Sequence, residues 1–148
     1  MQEAMRAAYG RGLEVVAELH RHGVRIHAGT DSGNPFVVQG AALLQEIALL
    51  AEAGLDNEAA LAAASTVPAK SLGLTSGRSI EVGAPADLIV VRRDPRRDLG
   101  ALADIETVIA AGRFYSAAQL EEAIARYREH YSNITWEYLL PLAARLTR

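Results

Sequence analysis

Leu13, Val16 and Leu19 recur at helical spacing and Gly23 follows them, so residues 1–22 are predicted to form a helix stopped by a glycine. Residues 24–28, Val-Arg-Ile-His-Ala, then read as a short strand, and 29–35 as a loop. From 37 to 53 the apolar positions Leu43, Leu44, Ile47, Leu50 and Ala51 return to helical period, ended by Gly54. Helix, strand, loop and helix in succession is α/β grammar. Two shorter helices follow. Asp56 is placed to cap residues 57–64, because its carboxylate accepts from the first free amides. Thr66 is the expected cap of the next, with Pro68 in its first turn, where a missing N–H costs little, and Gly73 at its end. Residues 79–82, 86–92 and 105–110 read as strands, with Ala111-Gly112 turning a hairpin into Arg113-Phe114-Tyr115. After Ser116, a further cap, the chain turns helical to its end. Leu120, Ile124, Tyr127 and Tyr131 share one helical face, while Ile134, Leu139, Leu142 and Leu146 are less regular around Pro141.

Composition narrows the class. A chain of 148 residues holds one domain with a real core, or two small pieces. Half of the residues are hydrophobic and the net charge is only −3, an ordinary soluble balance. No basic stripe with interleaved aromatics is present, which argues against nucleic-acid binding. The absence of cysteine excludes disulfides, thiolate metal sites and a cysteine nucleophile. No apolar run approaches the roughly 20 residues of a membrane span. Nor does Met1-Gln2-Glu3-Ala4-Met5-Arg6 lead into the apolar segment of a signal peptide, so a cytoplasmic protein is expected.

Chemistry concentrates at Ala28-Gly29-Thr30-Asp31-Ser32-Gly33, where a carboxylate sits at the mouth of the first expected strand. In α/β chains that end of a strand is where ligands bind. Further along come Glu46-Ile47-Ala48-Leu49-Leu50-Ala51-Glu52-Ala53-Gly54-Leu55 and Ala59 through Leu74, with Ser65-Thr66-Val67-Pro68-Ala69-Lys70-Ser71 inside it. Gly83-Ala84-Pro85-Ala86-Asp87-Leu88-Ile89-Val90-Val91, Asp94-Pro95 and Val108-Ile109-Ala110-Ala111-Gly112-Arg113 complete the series. In this order these segments resemble the C-terminal portion of the amidohydrolase superfamily, the metal-dependent hydrolases related to imidazolonepropionase. The resemblance runs from Leu13 to Tyr115.

That resemblance implies an α/β fold: a C-terminal fragment of a (β/α)8 TIM barrel, part of a small β-sandwich, and a helical extension. The corresponding division is 1–76, 77–115 and 116–148. It also implies that Asp31 is both the metal ligand and the catalytic proton acceptor, beside a divalent metal for which zinc is the expected ion. A metal-bound water has its pKa lowered toward neutrality, and an adjacent carboxylate can take its proton and return it. The family's His-x-His pair, its bridging Lys or Glu and its two further His have no counterpart in this chain. Many relatives also carry a His two residues before the Glu of the next helix; here Leu44 stands there, before Glu46. One carboxylate cannot hold a catalytic zinc, which takes three protein ligands.

The remaining candidates have plainer readings. His20 and His22 imitate the His pair, but they close a helix, where a basic side chain favours the dipole and positions two apart share no face. His27 could line a pocket, but a barrel-core or substrate-contact role is expected, and His130 is expected to sit on a solvated helix. Asp87 reads as a turn residue of the sandwich. Ser32 beside Asp31 is no hydrolase triad, because no Gly-x-Ser-x-Gly elbow exists.

Beyond Tyr115 the pattern fades. Tyr127, Tyr131, Trp136 and Tyr138 gather there, as core packing, a sandwich cover or a subunit contact. Broken barrel edges make a homo-oligomer a physical expectation. The leading expectation is therefore part of an amidohydrolase acting on a small amide-type substrate, incomplete by itself and completed by an N-terminal segment or another chain. The rival is a non-catalytic remnant that serves as a binding or assembly module.

Overall fold

The computed structural model describes residues 2–130 apart from 33, 35, 36, 38, 39 and 75–78. Helix α1 spans Gln2–Arg21. It stops because Gly23 adopts φ 74, a left-handed conformation open to a residue without Cβ. Gly23 N then donates to His20 O (2.9 Å) and Val24 N to Leu19 O (3.0 Å), the paired bonds that satisfy the last free carbonyls of a helix. The same pair of bonds ends α2, Ala41–Glu52, and α4, Thr66–Ser71. Between them α3, Asn57–Ala63, is capped by Asp56, whose side chain accepts from Ala59 N at 2.7 Å. Thr66 is not the cap expected for α4. It is the first helical residue, and Ser65 precedes it with its hydroxyl donating back to Leu61 O (2.7 Å) instead of capping.

Three antiparallel strands follow in the order β1-β2-β3: Leu88–Val91, Ile105–Ala110 and Arg113–Ser116. Leu88 pairs with Ile109 and Ile109 with Phe114, so one face carries an apolar row across all three strands. Ala111 and Gly112 join β2 to β3 with φ 49 and 75. Two positive φ values in a two-residue loop match the twist of the flanking strands. Asp87 secures this turn from a distance: its Oδ1 accepts from Ala111 N (2.7 Å), and Ala86 O accepts from Gly112 N (3.3 Å). Past β3, Ser116 and Gln119 form a reciprocal cap, with Ser116 N donating to Gln119 Oε1 (2.9 Å) and Gln119 N to Ser116 Oγ (3.4 Å). Residues 117–130 are helical. Tyr131, Trp136, Tyr138 and the apolar positions beyond them lie outside the described residues.

The buried core sits among the helices. Ile47, Leu50, Leu55, Ala60 and Ala63 pack with Leu102, which the 3₁₀ turn Leu99–Ala103 brings over from the sheet side. Val16, Ile26, Ala28, Leu44 and Leu99 line this cluster. An Asp-Arg loop between β1 and the 3₁₀ turn anchors the sheet to the helices. Arg96 makes two bonds to Asp94 (3.0 and 2.9 Å), and its carbonyl accepts from Asn57 Nδ2 at the start of α3 (2.9 Å).

Two expected strands are absent. Residues 24–30 carry no ladder; Val24 N closes α1 on Leu19 O, and Ala28 N donates to Ala63 O of α3 (2.8 Å). A strand is defined by its neighbour, and no described residue pairs along this segment. Residues 79–82 form no strand either. Ile80 is 87% exposed, and Glu81 O accepts from Ala84 N in a turn.

Candidate functional site

Asp31 lies where the irregular segment leaves the helical core. Ile26 and Ala28 face that core, Ala28 N is tied to α3, and three residues later the backbone turns at Asp31 with φ 48. A non-glycine residue rarely adopts this conformation, but a short polar side chain that bonds locally tolerates it. Asn34 supplies that bond. Its Nδ2 donates to Asp31 Oδ2 at 2.5 Å and reaches Asp31 O at 3.3 Å, while Asn34 N donates to Asp31 O at 3.4 Å. The carboxylate is exposed. Thr30 and Ser32 pair their hydroxyls with each other at 2.6 Å, and no described histidine is bonded to Ser32.

His27, just before Ala28, turns to the other side and bonds Ser71 Oγ through Nε2 (3.0 Å) at the end of α4. It therefore ties the segment to α4. An open groove of about 340 Å³ lies at the opposite end of the segment, lined by His20, Val24, Ile26, Ala59 and Val67. Asp31 does not line it, and neither does any other carboxylate. His22 bonds Glu18 (2.8 Å), which Arg21 also pairs; the two contacts hold the Glu18 carboxyl below its usual pKa, with Arg21 the larger cause. His20 and His130 are exposed. Asp87 serves the hairpin turn described above. Leu44, where many relatives carry a His, packs against the helical core.

The donor set decides what this site can hold. Asp31 offers carboxylate oxygens, which suit zinc and harder divalent ions alike. Among the described residues no three His, Asp or Glu side chains converge on a common point. A catalytic zinc takes three protein ligands and a water, so the described residues do not by themselves make a metal centre. Asn34 is the site residue that the sequence reading missed. Its only signal was its place three residues after a turn Asp, which is too common to single out.

A model described as "Amidohydrolase family" matches residues 5–128. The chain belongs to that family. Uncharacterized proteins of Mycobacterium bovis and Mycobacterium tuberculosis are 33% identical over 111 residues, 75% of this chain and 29% of theirs. Among solved structures, a Xaa-Pro dipeptidase with bound methionine in the active site is 31% identical with a TM-score of 0.63, over 71% of this chain and 25% of that one. A provisionally assigned prolidase from Bifidobacterium longum is 41% identical with a TM-score of 0.63, over 68% and 25%. The chain thus spans between a quarter and a third of the length of the relatives it matches. No helix among the described residues is long and apolar enough to cross a membrane.

Proposed function

We propose that this chain is the C-terminal portion of a metal-dependent hydrolase that cleaves C–N bonds in small amide, cyclic amide or peptide-like substrates in the cytoplasm. In this reading residues 1–76 supply the last strand and helices of a (β/α)8 barrel, 77–115 part of a β-sandwich, and 116–148 a helical extension. Similarity to a Xaa-Pro dipeptidase puts the peptide-like substrate first. The observation that carries the reading is a Gly-Thr-Asp turn at the exit of an extended segment, inside a chain whose residues 5–128 match the amidohydrolase family.

A divalent metal, zinc in this reading, supplies a water acidic enough to attack a carbonyl near neutral pH. Asp31 would hold that metal through a carboxylate oxygen, and its carboxylate would take up and give back a proton. The remaining ligands come from residues outside this chain, because three donors are required and Asp31 is one.

Elemental analysis of purified protein, prepared without chelator, tests the first step. The expected result is no stoichiometric metal in the chain alone, and metal plus Xaa-Pro hydrolysis once the remainder of the Bifidobacterium relative is supplied as a second polypeptide. Asp31→Ala should abolish both. Hydrolysis unchanged by Asp31→Ala in that assembly overturns the role given to Asp31. Stoichiometric metal in the chain alone, lost in Asp31→Ala, would move the missing ligands to this chain's own His residues or to a second copy.

A non-catalytic assembly module is the second reading, favoured by one observation: Ile80 is 87% exposed and Phe114, in β3, 72% exposed. It predicts that Asp31→Ala changes nothing while Phe114→Ser changes the mass measured by light scattering.

A further inference from the structure

We propose that Asn34 is a positioning residue for the Asp31 carboxylate, a role that rests on the Asp31 reading above. The backbone of Asp31 takes a left-handed φ of 48. One side chain then fixes both parts of that residue: Asn34 Nδ2 reaches the main-chain oxygen at 3.3 Å and carboxylate Oδ2 at 2.5 Å. A carboxylate has two oxygens and about four lone-pair sites, so a donor on Oδ2 leaves Oδ1 for a cation or a proton. The chemistry of the donor matters. A primary amide orients the carboxylate without adding charge, whereas Lys or Arg in its place would pair with it as a competing cation and Asp would repel it. The hydrogen bonds found for Thr30 and Ser32 (to each other) and for His27 (to Ser71) lead elsewhere, while Asn34 bonds the Asp31 carboxylate. Groups that orient a metal-binding side chain typically matter by about 10- to 100-fold in affinity or activity when removed.

The test is nuclear magnetic resonance on the isotope-labelled chain, with no metal added. Asp31→Ala should move the Asn34 side-chain amide resonances toward free-amide positions. Asn34→Ala and Asn34→Asp should both move the Asp31 carboxyl carbon. Asn34→Asp keeps the size and loses the donor, so a shift shared by the two variants reports the bond rather than the volume. An Asn34 amide indifferent to Asp31→Ala, or an Asp31 carbon unmoved in both variants, overturns the proposal. In the complemented enzyme Asn34→Ala should lower kcat by about 10- to 100-fold with KM nearly unchanged. If Asp31→Ala abolishes hydrolysis and Asn34→Ala leaves kcat alone, the positioning role is wrong. If the resonances are coupled but Asp31→Ala leaves hydrolysis intact, the Asp31 reading is wrong and the contact with Asn34 is structural.

Discussion

The helices between residues 41 and 71 and the sheet between 88 and 116 satisfy different halves of the folding problem. In the helices, caps and terminal bonds answer the backbone, and Ile47, Leu50, Ala60 and Ala63 are withdrawn from water. In the sheet, the ladder answers the backbone just as fully, but no strand residue is buried and all four of β3 are exposed. In its apolar row Leu88 and Ile109 are half-buried, while Phe114 at the end of the row is 72% exposed. A three-stranded sheet needs an apolar face packed on something to be independently stable. Here it leans on the helical core through Leu102 and the Asp-Arg loop. The helices pack their buried apolar residues on one another, whereas the sheet leaves Ile89, Val90 and Phe114 exposed.

Breaking the stronger side should have the largest effect. Leu50→Ala removes a side chain only 5% exposed at the centre of the helical core. It should cost about 2–5 kcal/mol, read as a fall in urea midpoint with unchanged slope. Next comes the contact that pins the hairpin. Asp87→Ala leaves Ala111 N without its partner and should cost about 1 kcal/mol, with faster amide exchange at Ala111 than at Ile109.

The loop between the two regions gives a pH signature. The Arg96 guanidinium, followed by the Arg96 backbone N–H, lowers the Asp94 carboxyl to about 2. A carboxylate whose folded pKa lies below its unfolded one contributes stability that is complete above the unfolded value and lost as pH falls through the folded one. The Asp94 contribution should therefore persist at pH 5 and vanish between about pH 4 and pH 2. Arg96→Ala should return the carboxyl titration toward the ordinary carboxylate range, as followed by its carbon shift. Because Arg96 is exposed and Asp94 half-exposed, salt should blunt the effect. The smallest change is expected at the sheet surface. Phe114→Ala, at a residue 72% exposed, should alter stability by no more than about 0.5 kcal/mol. A loss near that of Leu50→Ala would mean that Phe114 is buried in solution, and the contrast between the regions would fall.

What the sequence determined by itself was local. Helix α3 starts at the residue after Asp56, three helices end in bonds made by Gly23, Gly54 and Gly73, and the Ala111-Gly112 hairpin falls where it was expected. Capping, glycine stops and turn residues act within about five positions, so their physics is written in adjacent letters. The family was legible for a related reason: the order of several short segments survives without any contact being known. Tertiary structure alone decided the rest. Residues 24–28 have the composition of a strand and no ladder, because pairing depends on a neighbour and not on propensity. His27 found Ser71, forty-four positions away, and Asp87 found Ala111, twenty-four away. Asn34 is close to Asp31 in sequence, yet its bond to the carboxylate depends on the left-handed turn at Asp31, and no pattern of residue types specifies that angle.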